Sequence, residues 1–321
     1  MLSKAVRRGS VRYGHEVGRR DVSLFDKIMI GGDKETPLPD TRFKAFLRYG
    51  REYFGRLVLF GVITSLFLAP SIAWLFVMNY GRLSAISAID ATAADYATQI
   101  NAIRLSYALT TYAVMIPLTV LFFIGLSGLF SAVKRISQGD ACRISHYFKG
   151  VRENGLRFVL MGAVFGVSLF FVSYNVAYLS TVTVNAGTAA LFAVTVLQFA
   201  FCGIFACWFM TGVTLYEVGL MQAIKNSFRL TFAKLFKNLI MYAAVAAPVI
   251  ATVAVPSPFN LLVMTAGAFL YFGFAALGVF CYANYVYDGT LNKTLGKDFV
   301  GRGLNKNTAT ADAESAGEGA V

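Results

Sequence analysis

Charge is scarce in this chain: only 14% of its residues are Asp, Glu, Lys or Arg, and the stretches 57–81, 105–133, 158–216 and 238–287 contain none at all. Histidine is nearly absent. His15 and His146 have no acids or cysteines placed at ligand spacing, which excludes a zinc centre. The four cysteines, Cys142, Cys202, Cys207 and Cys281, show no metal or disulfide spacing, and a separation of five puts Cys202 and Cys207 on different helical faces, as packing residues. No Gly-x-x-x-x-Gly-Lys sequence is present, so ATP hydrolysis by a P-loop is excluded. Ser145 and His146 are neighbours in sequence, not a triad, and no cofactor motif is seen. The chain reads as a non-enzyme.

What fills the space is apolar. Hydrophobic residues make up 57% of the chain and the mean hydropathy is +0.60, outside the range of ordinary soluble domains. A membrane span takes about 20 apolar residues. The first two uncharged runs are therefore one span each, while the runs of 59 and 50 residues must turn back on themselves. The turns are marked by Ser180 to Thr188 in one and by Pro256, Ser257 and Pro258 in the other.

The expected fold is an all-α polytopic membrane protein with six transmembrane helices at about 57–79, 105–130, 158–179, 188–215, 238–256 and 259–286. With the first residue cytoplasmic, 27 of the 29 Lys and Arg fall on the cytoplasmic side, and only Arg82 and Arg104 fall outside. The positive-inside rule predicts this pattern and places both termini in the cytoplasm. The net charge of +12 is thus a statement of orientation; nucleic acid is not an expected partner, because the basic residues are not gathered on one soluble surface. The topology also predicts that Cys142, in a cytoplasmic loop, reacts with an impermeant thiol reagent only after the membrane is opened.

The chain divides into a basic tail (1–41), a membrane domain (42–288) and a second tail (289–321) expected to be disordered from about 305. Within the first tail, 22–30 has the pattern of a short interfacial helix. The first twenty residues lack the apolar stretch of a secretory signal; Lys4, Arg7, Arg8 and Arg12 faintly resemble a mitochondrial presequence. A segment beginning at Phe46 recurs 101 residues later at Tyr147, with Arg51/Arg152, Glu52/Glu153, Arg56/Arg157 and Gly61/Gly162 identical, and more loosely from Phe228. In each copy two basic residues stand eight apart: Arg48 and Arg56, Lys149 and Arg157, Arg229 and Lys237. Eight residues is a little over two helical turns, which puts each pair on nearly one face. The expected unit is a basic amphipathic interfacial helix (42–56, 141–157, 220–237) followed by a transmembrane hairpin, three times over. The six basic residues are candidates for contact with anionic lipid headgroups or with an acidic partner.

Polar residues inside the spans are the other candidates. Tyr107 with Thr110 and Thr111 in span two, Ser173, Tyr174 and Asn175 in span three, and Thr195 and Gln198 in span four would lie in the outer half. Tyr107, Thr111, Ser173, Asn175, Thr195 and Gln198 form either a polar cavity open to the outside or ordinary interhelical hydrogen bonds. Glu217 and Asp288 stand at the inner ends of spans four and six as interfacial groups. Pro70, Pro117 and Pro248 fall inside spans, and Gly162 and Gly166 form a Gly-x-x-x-Gly pair suited to close helix approach.

The stretch from Gly125 to Asp140 (GLSGLFSAVKRISQGD), then Tyr147 to Arg157 (YFKGVRENGLR) and Ala223 to Thr231 (AIKNSFRLT), is similar to the YesL-like family of small bacterial membrane proteins. The resemblance covers about 43–288. It implies a bacterial inner-membrane protein with an accessory role in carbohydrate uptake, alongside components of an ABC-type sugar transporter, and it carries over no catalytic residues. The alternative is a small-solute transporter or channel using the polar residues of spans two, three and four.

Overall fold

The computed structural model describes residues 38–183, 185–216, 218–254, 260–295 and 299–305, the side chains of 249–254, 260–266 and 268 excepted. The expected interfacial helix at 22–30, His15, Glu217, the turn at Pro256 to Pro258 and the tail from 306 lie outside the described residues. Those described form helices α1 (Arg42–Glu52), α2 (Phe54–Ser87), α3 (Tyr96–Ser137), α4 (Ile144–Leu179), α5 (Ala186–Leu215), α6 (Leu220–Ala233), α7 (Leu235–Ala254), α8 (Asn260–Gly289) and α9 (Leu291–Leu295), with no strand among them. Among the described residues, five helices are long and apolar enough to cross a membrane: α2, α3, α4, α5 and the Phe269–Gly289 part of α8. The pair α6 and α7, bent by 97° at Lys234, makes a sixth if the two count as one span. This all-helical fold with five to six long apolar helices is compatible with a polytopic membrane protein. Leu66, Phe76 and Val77 on α2, and Phe192, Val194 and Leu197 on α5, face outward, as a lipid-covered perimeter requires.

The helices outrun the bilayer. At 1.5 Å per residue the 42 residues of α3 and 36 of α4 reach about 63 and 54 Å, against a hydrocarbon core of about 30 Å. The second interfacial helix expected at 141–157 is accordingly not separate, because α4 runs unbroken through it from Ile144. Its first turns pack on the end of α3 instead: Asn154 Nδ2 donates to Ser131 Oγ at 3.1 Å, and the Tyr147 hydroxyl donates to the Gly125 carbonyl at 2.8 Å. A partner helix along the whole length removes the reason to bend. The first and third copies do break, at Tyr53 and at Lys234. These two positions are equivalent in the repeat, each falling five residues after the first basic residue, Arg48 or Arg229.

The core is concentrated at the basic end. Leu57, Phe60, Leu129, Val133, Ile136, Tyr147, Phe158 and Phe280 are fully buried there, and the Phe60 ring stacks on Tyr147 at 5.9 Å. On α2 the buried residues stop at Ser71, so its remaining turns lie outside the core. Close helix contact explains the tight end. A Cβ on Gly61 would collide with the Phe269 carbonyl oxygen, and one on Gly273 with that of Leu57, so α2 and α8 cross backbone against backbone. Gly162 and Gly166 likewise face α3, meeting Val120 Cα at 2.9 Å and Ile116 Cα at 3.1 Å.

Candidate functional site

The basic end carries a polar network that joins both ends of the described chain. Thr41 caps α1 through its side-chain oxygen, which accepts from the Lys44 N–H at 3.2 Å and so fixes Arg42 at the first helical position. Arg42 is buried, and its Nε and Nη2 donate to Asp288 Oδ2 at 3.2 and 2.5 Å. The other carboxylate oxygen, Asp288 Oδ1, accepts from Asn292 Nδ2 at 2.7 Å and from the Gly301 N–H at 3.2 Å. All four acceptor positions of the carboxylate are therefore used. Arg42 Nη1 donates to the Arg302 carbonyl at 2.7 Å, the Tyr216 hydroxyl to Asn292 Oδ1 at 2.6 Å, and the Tyr49 hydroxyl to the Gly303 carbonyl at 2.8 Å.

The segment after α9 is thus ordered by contacts and lies against α1 and the turn after α3. Gly303 has φ +78°, and a Cβ there would meet the Ser137 carbonyl oxygen at 2.8 Å, so the seat requires glycine. The Asn305 N–H donates to the Pro39 carbonyl at 3.0 Å, closing the seam between the two ends. Burial pushes the Tyr49 phenol up to about 12, with Arg48 partly opposing it, and burial raises that of Tyr216 as well. Both hydroxyls remain donors at neutral pH.

Sequence reasoning left Arg42, Tyr216 and Asn292 out, and treated Asp288 as an interfacial group. One signal was legible: Asp288 is the first charge after a 50-residue uncharged run, with Asn292 one helical turn on. Its partner, 246 residues away, was not.

Two of the three expected basic pairs are split between helices. Arg48 and Arg56 stand on α1 and α2 with the break at Tyr53 between them, and Arg229 and Lys237 stand on either side of the 97° bend. Only Lys149 and Arg157 share a helix, so the argument from eight-residue spacing holds for that pair alone. Arg48 pairs with Glu52 at 2.6 Å, and Lys149 with Glu153 at 3.7 Å on an exposed surface. Arg157 is half-buried; Arg229 and Lys237 are exposed. Arg56 is the exception: only 6% of it is accessible, its guanidinium lies 5.6 Å from the Tyr53 ring centre, and Nη1 has no hydrogen-bond partner among the described residues.

The outer polar residues fall into separate contacts. Asn175 Nδ2 donates to Thr195 Oγ1 at 3.1 Å, joining α4 to α5. The Thr111 carbonyl accepts from Trp74 Nε1 at 3.1 Å, and the Tyr107 ring lies against Gly81, so both face α2. Ser173 is half-buried and Gln198 is exposed on α5.

Two further features belong to the basic end. A cleft of about 230 Å³ opens between the end of α5, α6 and the α8–α9 junction, lined mainly by apolar atoms, with Tyr216, Asn226, Arg229 and Thr290 among its walls. Cys142 is fully buried, its Sγ 3.5 Å from the Ala132 carbonyl, and burial pushes its thiol up to about 11 against the pull of Arg56 and Arg135. Labelling of Cys142 after the membrane is opened, expected from the topology, is therefore hindered by its burial. Among the described residues no group of three His, Cys, Asp or Glu is placed to hold a metal. Compared with protein-family models, curated proteins and solved structures, the chain matches none.

Proposed function

We propose that this chain is a non-enzymatic accessory or scaffold protein of the bacterial inner membrane, with six spans arranged as three hairpins and both termini cytoplasmic. The observation that carries this reading is the position of the polar chemistry. The buried ion pair, its hydrogen-bonded partners and the tightest packing all lie at the end that holds most of the basic residues, while the long apolar stretches contain no acid or base. A carrier that couples to protons or ions places ionisable groups within the bilayer. A scaffold needs a rigid face outside it, and the network around Asp288 supplies one.

In this arrangement α6 lies in the cytoplasmic interface, turned by 97° from α7, and Lys225 and Arg229 extend toward headgroups or an acidic partner. The extended end of α3 and the start of α4 enlarge the same face. Association with carbohydrate uptake, through components of an ABC-type sugar transporter, rests on the YesL-like resemblance. Crosslinking in native membranes followed by purification tests the scaffold role: a transporter component recovered in constant ratio to this chain is the expected outcome. Recovery of only lipid and copies of the chain itself would remove it.

A further inference from the structure

Among the described residues, Arg56 is the one buried basic side chain with a guanidinium nitrogen that lacks a hydrogen-bond partner. A buried polar atom left unbonded requires an explanation, and for a cation an anion is the natural one. Among the described residues its surroundings supply none. Arg56 lies within electrostatic reach of Cys142, Tyr53 and Arg143. His146, in the first turn of α4, lies within electrostatic reach of Arg135, Arg143, Lys149 and Arg56. Of the carboxylates on the neighbouring turns, Glu52 is paired with Arg48 and Glu153 with Lys149, and Asp140 lies nearest Arg135, Arg302 and Lys134, not Arg56.

The first turns of two long helices are joined through Tyr147 of α4, whose ring stacks on Phe60 of α2 at 5.9 Å and whose hydroxyl lies 3.1 Å from Thr64 Oγ1. α2, of 34 residues, and α4, of 36, start at Phe54 and Ile144, and neither has an acidic residue in its first turn. Their N-terminal N–H groups and dipoles add positive potential to that of the side chains. His146 Nδ1 accepts the Arg143 N–H at 3.0 Å, which turns the ring back onto the α4 start and leaves the Arg143 side chain exposed at the mouth.

We propose that Arg56 and Arg143, where the starts of α2 and α4 meet, hold a phosphate group, carried by an anionic phospholipid or free in solution. The planar guanidinium of Arg56 bonds two phosphate oxygens in a fork, and Arg143 closes the outer side. Exposed Phe54, Ile144 and Phe148 around the same helix starts suit a lipid's glycerol and upper chain. The lipid source rests on the cytoplasmic-interface placement proposed above; phosphate binding by these residues does not.

The test uses the full chain in detergent, titrated separately with phosphatidylglycerol, phosphatidylcholine and inorganic phosphate, with bound lipid counted by native mass spectrometry. The expected result is one tightly retained phosphatidylglycerol that phosphatidylcholine does not replace. Arg56→Gln weakens it by about tenfold or more, as loss of a charged hydrogen-bond pair implies. Arg56→Lys keeps part of the affinity. Lys149→Gln, which removes an exposed cation already paired with Glu153, leaves it within about twofold, as weak surface pairs do. Competition by millimolar inorganic phosphate identifies free phosphate as a source; its absence identifies the lipid. Equal loss in Lys149→Gln would show diffuse attraction and overturn the site. If Arg56→Gln does not fold, Arg143→Gln decides, since its side chain is exposed: unchanged retention there overturns the proposal. Partner capture by crosslinking is a separate readout, so failure of the scaffold role and failure of this site are distinguishable.

Discussion

Replacing Asp288 by Ala should be among the most damaging single changes in this protein. The substitution strands Arg42, 7% exposed, with only the Arg302 carbonyl left as an acceptor among the described residues, and it frees the Asn292 amide and the Gly301 N–H at the same time. Removing one partner from a buried ion pair costs about 3–5 kcal/mol, a large share of the roughly 5–15 kcal/mol that holds a typical fold together. Asp288→Asn should cost less, because one oxygen still accepts from Arg42 while its amide donors face other donors. The double variant Arg42→Met with Asp288→Leu removes both charges and should lie within about 1–2 kcal/mol of the parent, since the desolvation cost disappears with the attraction. Chemical unfolding in a mild detergent measures the three, and hydrogen exchange at the Gly301 amide reports the segment that Asp288 holds. Two outcomes would refute the reasoning: a loss under about 1 kcal/mol for Asp288→Ala, or a double variant that loses the sum of the two single losses.

Three other outcomes follow from the same structure. Gly61→Val should destabilise by about 3 kcal/mol or more, at the upper end of overpacking costs, because the obstacle is the Phe269 backbone and not a movable side chain; a melting temperature equal to the parent's in detergent would contradict the close α2–α8 crossing. Asp140 has its carboxyl raised by burial, against the pull of Arg135, Arg302 and Lys134. The folded state therefore binds its proton more readily than the unfolded chain, and stability falls as pH rises from the ordinary carboxylate range through the folded value. Asp140→Asn should then melt higher than the parent at pH 7, with the gap shrinking toward pH 4, and a gap that widens on acidification would reverse the sign. Cys142 should label slowly with maleimide while folded, since with a thiol near 11 roughly one in a thousand is ionised at pH 8 even before burial is counted; Ser145→Cys in a Cys142→Ala background should label fast, and equal rates for the two would show that Cys142 is accessible.

The long uncharged stretches were enough to specify helices, since an apolar run of that length has no other way to satisfy its backbone in lipid. The polar flanks marked where helices change direction, though not how. The recurrence of two basic residues eight apart implied three equivalent interfacial helices, yet α4 passes straight through the position at which α1 and α6 end. The difference lies in the neighbour. Asn154 has Ser131 of α3 to bond, and a helix with a partner beside it does not bend away. The polar span residues gave one interhelical bond, between Asn175 and Thr195, while Tyr107 and Thr111 turned to α2, because sequence spacing fixes a residue's angle on its own helix and not which helix stands opposite.

The sequence by itself determined composition, helical class and the gathering of positive charge between apolar runs, because each depends on a single segment meeting its solvent. Only the tertiary structure decided which charges are surface groups and which are interior. Arg48 and Lys149 are paired with carboxylates one turn away, as local spacing allows. Arg42 found its carboxylate 246 residues off, and Arg56 was buried in the first turn of α2 with its Nη1 unpaired among the described residues. Burial and pairing at that distance are set by how helices pack, which no stretch of sequence encodes alone.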